Sequence, residues 1–276
     1  MSVFITYIKR FVFEDNIFLA DRIYFLENIR LFLTLKNNDK IYRDHRLENN
    51  PELTGGYFEG DIVLNVNRNG LVDPYTRWPN NVVYYKIREQ NFDAEHRNYI
   101  ITAMRSIEKV SCIRFEDATG SSIPYYVYIT GYPNGCRSDI GCTSRVQVLN
   151  LQIFPLGKGC FKMGEIVHEL LHTLGFFHMQ NDSTRDNYVK IVEENVMASG
   201  MRNFVKLRAD VVDNFGQEYD YASIMHYDPY AFSKNGKKTI IPLKNTTTVD
   251  LMGQRYMMTY TDIVKLNKMY NCPKEV

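Results

Sequence analysis

No stretch of this 276-residue chain reaches the ~18 consecutive apolar residues that a membrane-spanning helix needs. Charge of one sign is also missing. The 33 basic and 32 acidic residues leave a formal net charge of +1. That balance gives no reason to expect nucleic acid or an anionic membrane as a partner. The five cysteines, Cys112, Cys136, Cys142, Cys160 and Cys272, contain no Cys-x-x-Cys pair. Zinc ribbons and thioredoxin-type redox sites are therefore not expected. Internal repeats and low-complexity tracts are absent. Residues 1–13 lack a clear apolar centre and a small-residue cleavage site, because Lys9 and Arg10 interrupt them early. They make a poor secretory signal.

What remains is the composition of an ordinary folded protein, 45% hydrophobic and 24% charged. Length alone allows one or two domains. Residues 23–35 read as a helix without strong caps, and residues 49–56 as a loop. Segments 62–64, 82–87, 113–115, 125–130 and 146–153 are rich in β-branched and aromatic residues and read as strands. Ile100, Ile101, Met104, Ile107 and Val110 repeat at helical spacing, which predicts an amphipathic helix over 95–110. A second helix is expected over 161–174. A last one is expected over 261–270, capped by Thr261 or its neighbour with Asp262 in the first turn.

The strongest signal is His168-Glu169-Leu170-Leu171-His172. Residues four apart share one helix face, so both imidazoles can point at one ion. Gly175 can take a positive φ and turn the chain sharply. His178 can then return to the same ion from outside the helix. Three neutral imidazoles leave a zinc ion its charge and an open position for water. Glu169, next to the first ligand, is placed to act as general base. Two histidines four apart could also be satisfied core residues. The full H-E-x-x-H-x-x-G-x-x-H spacing weakens that alternative.

Downstream stands Ser223-Ile224-Met225-His226-Tyr227. Together the two motifs resemble the metzincins, and more narrowly the astacin family of zinc endopeptidases. Gly175-Phe176-Phe177-His178, Arg185-Asp186-Asn187-Tyr188-Val189, Tyr219-Asp220-Tyr221 and Gly253-Gln254-Arg255 extend the likeness. Asp73-Pro74-Tyr75-Thr76-Arg77-Trp78-Pro79 brings it closest to meprin-like and insect-type members. The resemblance implies an α+β fold: a catalytic domain of two subdomains around an active-site cleft, over residues 69–276. A pro-segment, residues 1–68, would precede it and cross the cleft.

By the same resemblance, His168, His172 and His178 bind one Zn2+ per chain, and Met225 forms a hydrophobic floor beneath them. Tyr227 is the family's tyrosine switch, able to ligate zinc or to hydrogen-bond an oxyanion. Phe58-Glu59-Gly60-Asp61-Ile62 resembles the family's aspartate switch, with Asp61 blocking zinc in a zymogen. A trypsin-like activating protease would cut at Arg68–Asn69. Disulfides Cys112–Cys272 and Cys136–Cys160 carry over, and Cys142 is left odd. Arg255 matches the arginine that lines the S1′ pocket, which would favour acidic P1′ residues in protein or peptide substrates. Residues 146–153 are expected at the sheet edge, where a peptide could add as a strand. The disulfides, with sequons at Asn181 and Asn245 as glycosylation sites, point to secretion. Met179 stands where the family usually has a glutamate that receives the mature N-terminus, and it cannot accept a charged amine.

Two rivals have specific objections. A zinc-binding protein that no longer cleaves would have no use for Glu169. A matrix-type protease would lack Tyr227 and the aspartate switch, and would carry a cysteine switch instead.

Overall fold

The computed structural model describes residues 50–64 and 74–273. The expected helix over 23–35 and the Arg68–Asn69 bond lie outside the described residues. A six-stranded sheet holds β1 (Ile62–Val63), β2 (Val82–Ile87), β3 (Arg114–Asp117), β4 (Val127–Thr130), β5 (Cys136–Asp139) and β6 (Gln147–Leu151), in the order β1-β5-β6-β4-β2-β3. All pairings are parallel except β5 with β6. A separate antiparallel pair joins β7 (Val189–Ile191) to β8 (Ile240–Pro242).

The edge position expected for residues 146–153 is corrected. Strand β6 lies inside the sheet, between β5 and β4. The position beyond it belongs to β5, which pairs on its outer side with β1. Strand β5 escapes detection in the sequence because Cys136-Arg137-Ser138-Asp139 lacks the apolar run or alternation that marks a strand.

Helix α1 (Ala94–Glu108) starts where the Asp93 carboxylate accepts the His96 backbone N–H at 2.8 Å. It buries Ile100, Ala103, Met104 and Ile107. Helix α2 (Met163–Thr173) is buried almost all round, from Gly164 to Thr173. Such a helix is a core element, and its polar residues need partners inside the protein. It ends in a Schellman motif: Gly175 takes φ 107°, its N–H reaches the His172 carbonyl at 2.8 Å, and the Phe176 N–H reaches the Leu171 carbonyl at 2.9 Å. Helix α3 (Tyr260–Met269) opens on a capping box between Thr259 and Asp262.

Beyond α2 the chain is mostly turns and short 3-10 segments. Two hydrophobic clusters result. The larger joins the sheet, α1, α2 and α3 through Trp78, Ile107, Leu149, Ile166 and Leu266. The smaller gathers Met179, Val189, Phe204, Tyr221, Tyr227 and Ile240. Disulfides close Cys112 to Cys272 and Cys136 to Cys160. The first spans a sequence separation of 160. The chain-entropy account values such a long loop at ~5 kcal/mol. Cys142 is buried and outside both bridges. Among the described residues no helix is long and apolar enough to cross a membrane.

Candidate metal centre

Helix α2 presents His168 and His172 one turn apart, and the turn at Gly175 returns His178 to them. All three imidazoles are buried. Each is oriented through Nδ1: His168 donates to the Ile224 carbonyl at 2.9 Å, His172 to the Phe176 carbonyl at 2.6 Å, and His178 to the Glu59 carboxylate at 2.8 Å. With the proton held at Nδ1, each Nε2 keeps a lone pair.

Those lone pairs converge. His168 Nε2 lies 3.0 Å from His172 Nε2 and 3.2 Å from His178 Nε2. The Asp61 carboxylate completes the group, with oxygens 3.3, 3.5 and 3.4 Å from the three nitrogens. Four electron-pair donors packed this closely repel one another unless a cation sits among them. A tetrahedral zinc ion with bonds of ~2.0–2.1 Å sets its ligands ~3.3 Å apart. The spacing fits zinc, and three imidazoles with one carboxylate form a normal zinc ligand set. The outward Nδ1 bonds are the supporting contacts that metal-ligating histidines require.

Glu169 is fully buried, and neither of its carboxylate oxygens has a hydrogen-bond partner among the described residues. Burial first, then the like charge of Asp61, pushes its carboxyl well above the usual range. Asp61 goes the other way. Its burial would raise it, but the His178 and His172 imidazoles hold it well below the usual carboxylate range.

Asp61 reaches the histidines from a tight turn. Gly60 has φ 87°, and a Cβ there would stand 2.8 Å from the Glu52 carbonyl. The Ser138 N–H then bonds the Asp61 carbonyl at 2.9 Å, which joins the turn to β5. Tyr227, fully buried, donates its hydroxyl to the Glu59 carbonyl. Met225 is buried in the larger core, and its carbonyl accepts the Met179 N–H at 2.9 Å, one residue past His178.

Other expected residues fall differently. The Arg255 side chain is only 6% exposed rather than open to a pocket. It clasps Glu52 with Nη2 at 2.7 Å and Nε at 2.9 Å. Asn181 is corrected as a glycosylation site: it is buried, and its Nδ2 donates to the Asn203 carbonyl at 2.9 Å. Asn245 is exposed. Met179 is buried, and the Lys265 ammonium reaches its sulfur at 3.4 Å.

Sequence alone assigns no role at the site to three contributors. Glu59 is only part of a motif there, and Glu52 stands in a segment that reads as loop. Asp262 is expected to start a helix, but it also accepts the Ile224 N–H at 3.0 Å and so braces the carbonyl that orients His168.

The profile of the Astacin peptidase family matches residues 70–271. Seminal metalloprotease 1 of Drosophila melanogaster is 43% identical over 230 residues, covering 82% of this chain and 91% of that protein. Zinc metalloproteinase nas-4 of Caenorhabditis elegans is 38% identical over 240 residues, 83% of this chain and 73% of its own. Among solved structures, High choriolytic enzyme 1, a hatching enzyme zinc-protease from Oryzias latipes, superposes with a TM-score of 0.63 at 34% identity, covering 71% of this chain and 94% of that one. A three-histidine zinc site on this fold, with relatives at this identity over most of their length, places the chain in the astacin family of zinc metalloendopeptidases.

Proposed function

We propose that this zinc endopeptidase is made as a secreted zymogen with a pro-segment up to Arg68, of which residues 51–63 block a cleft built by the peptidase domain of residues 69–276. The observation that carries the reading is the Asp61 carboxylate among the three Nε2 atoms, at 3.3 to 3.5 Å. A carboxylate there takes the position a catalytic water needs. Strand β1, paired with the outer side of β5, likewise takes the backbone groups a peptide substrate would use.

In the active form His168, His172 and His178 hold zinc, which supplies a Lewis acid and lowers the pKa of water to ~7. Glu169 takes the proton of the attacking water and gives it to the leaving amine. Its partnerless oxygens support this role. A structural glutamate buried so fully would be hydrogen-bonded. Tyr227, freed from the Glu59 carbonyl, donates to the oxyanion that develops on the scissile carbonyl. The outer side of β5 aligns the peptide. Arg255, freed from Glu52, attracts an acidic side chain after the cleaved bond.

Activation is a trypsin-like cut at Arg68–Asn69. Met179 leaves the new N-terminal amine without the usual glutamate, so its seat differs from that of relatives. Secretion accords with the two disulfides and the exposed sequon at Asn245.

Recombinant chain treated with trypsin should gain peptidase activity and a new N-terminus at Asn69. In the same assay Glu169→Gln should keep its zinc and lose activity by ~10²–10⁴-fold, the usual contribution of general acid–base catalysis. Equal activity in the two proteins would end this mechanism.

A further inference from the structure

Residues 51–63 cross the metal centre on more than the Asp61 contact. Glu52 lies nine residues upstream of Asp61 and is 1% exposed. Both its oxygens bond Arg255, at 2.7 and 2.9 Å, in the planar two-point geometry that suits a guanidinium and a carboxylate. The remaining terminal nitrogen of Arg255, Nη1, donates to the His226 and Gln254 carbonyls at 3.0 Å. The guanidinium is thus fixed from the protein side and satisfied from the Glu52 side.

Glu165 sharpens the pairing. Its Oε2 is buried 3.5 Å from Arg255 Nε and has no hydrogen-bond partner among the described residues. Glu52 Oε2 also lies 3.9 Å from His168 Nε2, while other contacts hold the segment away from the histidines. Arg202 donates to the Gly56 and Tyr57 carbonyls, and the Arg137 guanidinium sits 4.8 Å above the Tyr57 ring.

We propose that Glu52 and Arg255 form a second clasp on the latch, one that does not depend on zinc. This rests on the reading of residues 51–63 as an inhibitory segment and adds a regulatory step to it. Breaking the Asp61 contact leaves the segment seated. Cutting at Arg68 leaves it bound as a separate peptide. It departs only when Glu52 is displaced, and an incoming peptide with its own carboxylate over Arg255 does that best. Removing one partner of a buried ion pair typically costs enough to weaken binding ~100-fold or more.

The test is a double-mutant cycle in the full-length, uncut, zinc-loaded chain: wild type, Asp61→Asn, Glu52→Gln and the double variant. Zinc content and melting temperature are recorded for each. Amide hydrogen exchange of residues 51–63 is read against α1 as internal reference, together with hydrolysis of a quenched peptide. Asp61→Asn alone should keep the segment protected and the enzyme nearly silent. The double variant should exchange there ~100-fold faster and cleave without activation. Glu52→Asp in the Asp61→Asn background, which keeps the charge but shortens its reach, should fall between.

Release in Asp61→Asn equal to that in the double variant would overturn the clasp. A different result would overturn the underlying reading: uncut wild type as active as trypsin-treated wild type, whatever residue 52 is.

Discussion

A carboxyl group set beside another carboxyl resists losing its proton. Asp220 is such a group. Burial first, then Asp262, pushes it up to about 6, although the Thr259 hydroxyl, the Ala222 N–H and the Lys265 charge oppose the rise. Its folded pKa thus lies above the ordinary value of 3.8. The folded state binds the proton more tightly, so the stability this supplies is present below pH ~4 and lost as pH rises to ~6. The loss should be on the order of 2–3 kcal/mol. Denaturant titration of wild type and Asp220→Asn at the same series of pH values should show wild type losing ground across that window. Parallel curves would place the proton elsewhere. Single residues also mark where the sequence stops being legible. His168, His172, His178 and Glu169 can be read because four chemical groups sit in one short motif. Glu52 and Glu59 cannot, because their partners lie 203 and 119 residues away and no local pattern encodes such pairs.

Elements are most legible where one face is apolar and a cap is local. Helix α1 begins within one residue of its expected start and ends two residues short of its expected end. Helix α3 begins one residue early because Thr259, not Thr261, is the cap. Strands β7 and β8 are three residues each and carry too little pattern to be found. Asp262 shows what a cap can do beyond its own helix. One oxygen takes the Ser223 hydroxyl at 2.6 Å, and the other takes the Thr259 and Ile224 N–H groups at 2.9 and 3.0 Å. Asp262→Ala should cost ~2–4 kcal/mol, a lost cap plus buried donors left unmatched. It should also weaken zinc binding ~10-fold, because the Ile224 carbonyl no longer holds His168 in place. Chemical denaturation gives the first number and competition with a chromophoric chelator the second. Unchanged zinc affinity would show that the loop holds that carbonyl unaided.

At the scale of the molecule, the metal centre ties together parts that share no core. Helix α2 belongs to the larger cluster, and Tyr227 and Met179 to the smaller. Metal binding to the folded state alone should therefore stabilise the whole unit. At a free zinc level ~1,000 times the dissociation constant the gain is ~4 kcal/mol. For a unit of this size that is a melting shift of roughly 8–16 °C. Calorimetry before and after treatment with a chelator should show the drop, and added zinc should restore the melting point. An unchanged melting point would mean that folding and metal are uncoupled. The buried Asn181 carries a different consequence, one concerned with the order of events in a cell. Its side chain is fully buried with its nitrogen against the Asn203 carbonyl, so the folded state has no room for a sugar there. In a compartment where glycans are attached to emerging chains, glycosylation and folding would compete for that side chain. A chain modified there could not bury it, so molecules that mature correctly should be those that folded first. Glycopeptide mapping of the mature protein should find Asn181 bare.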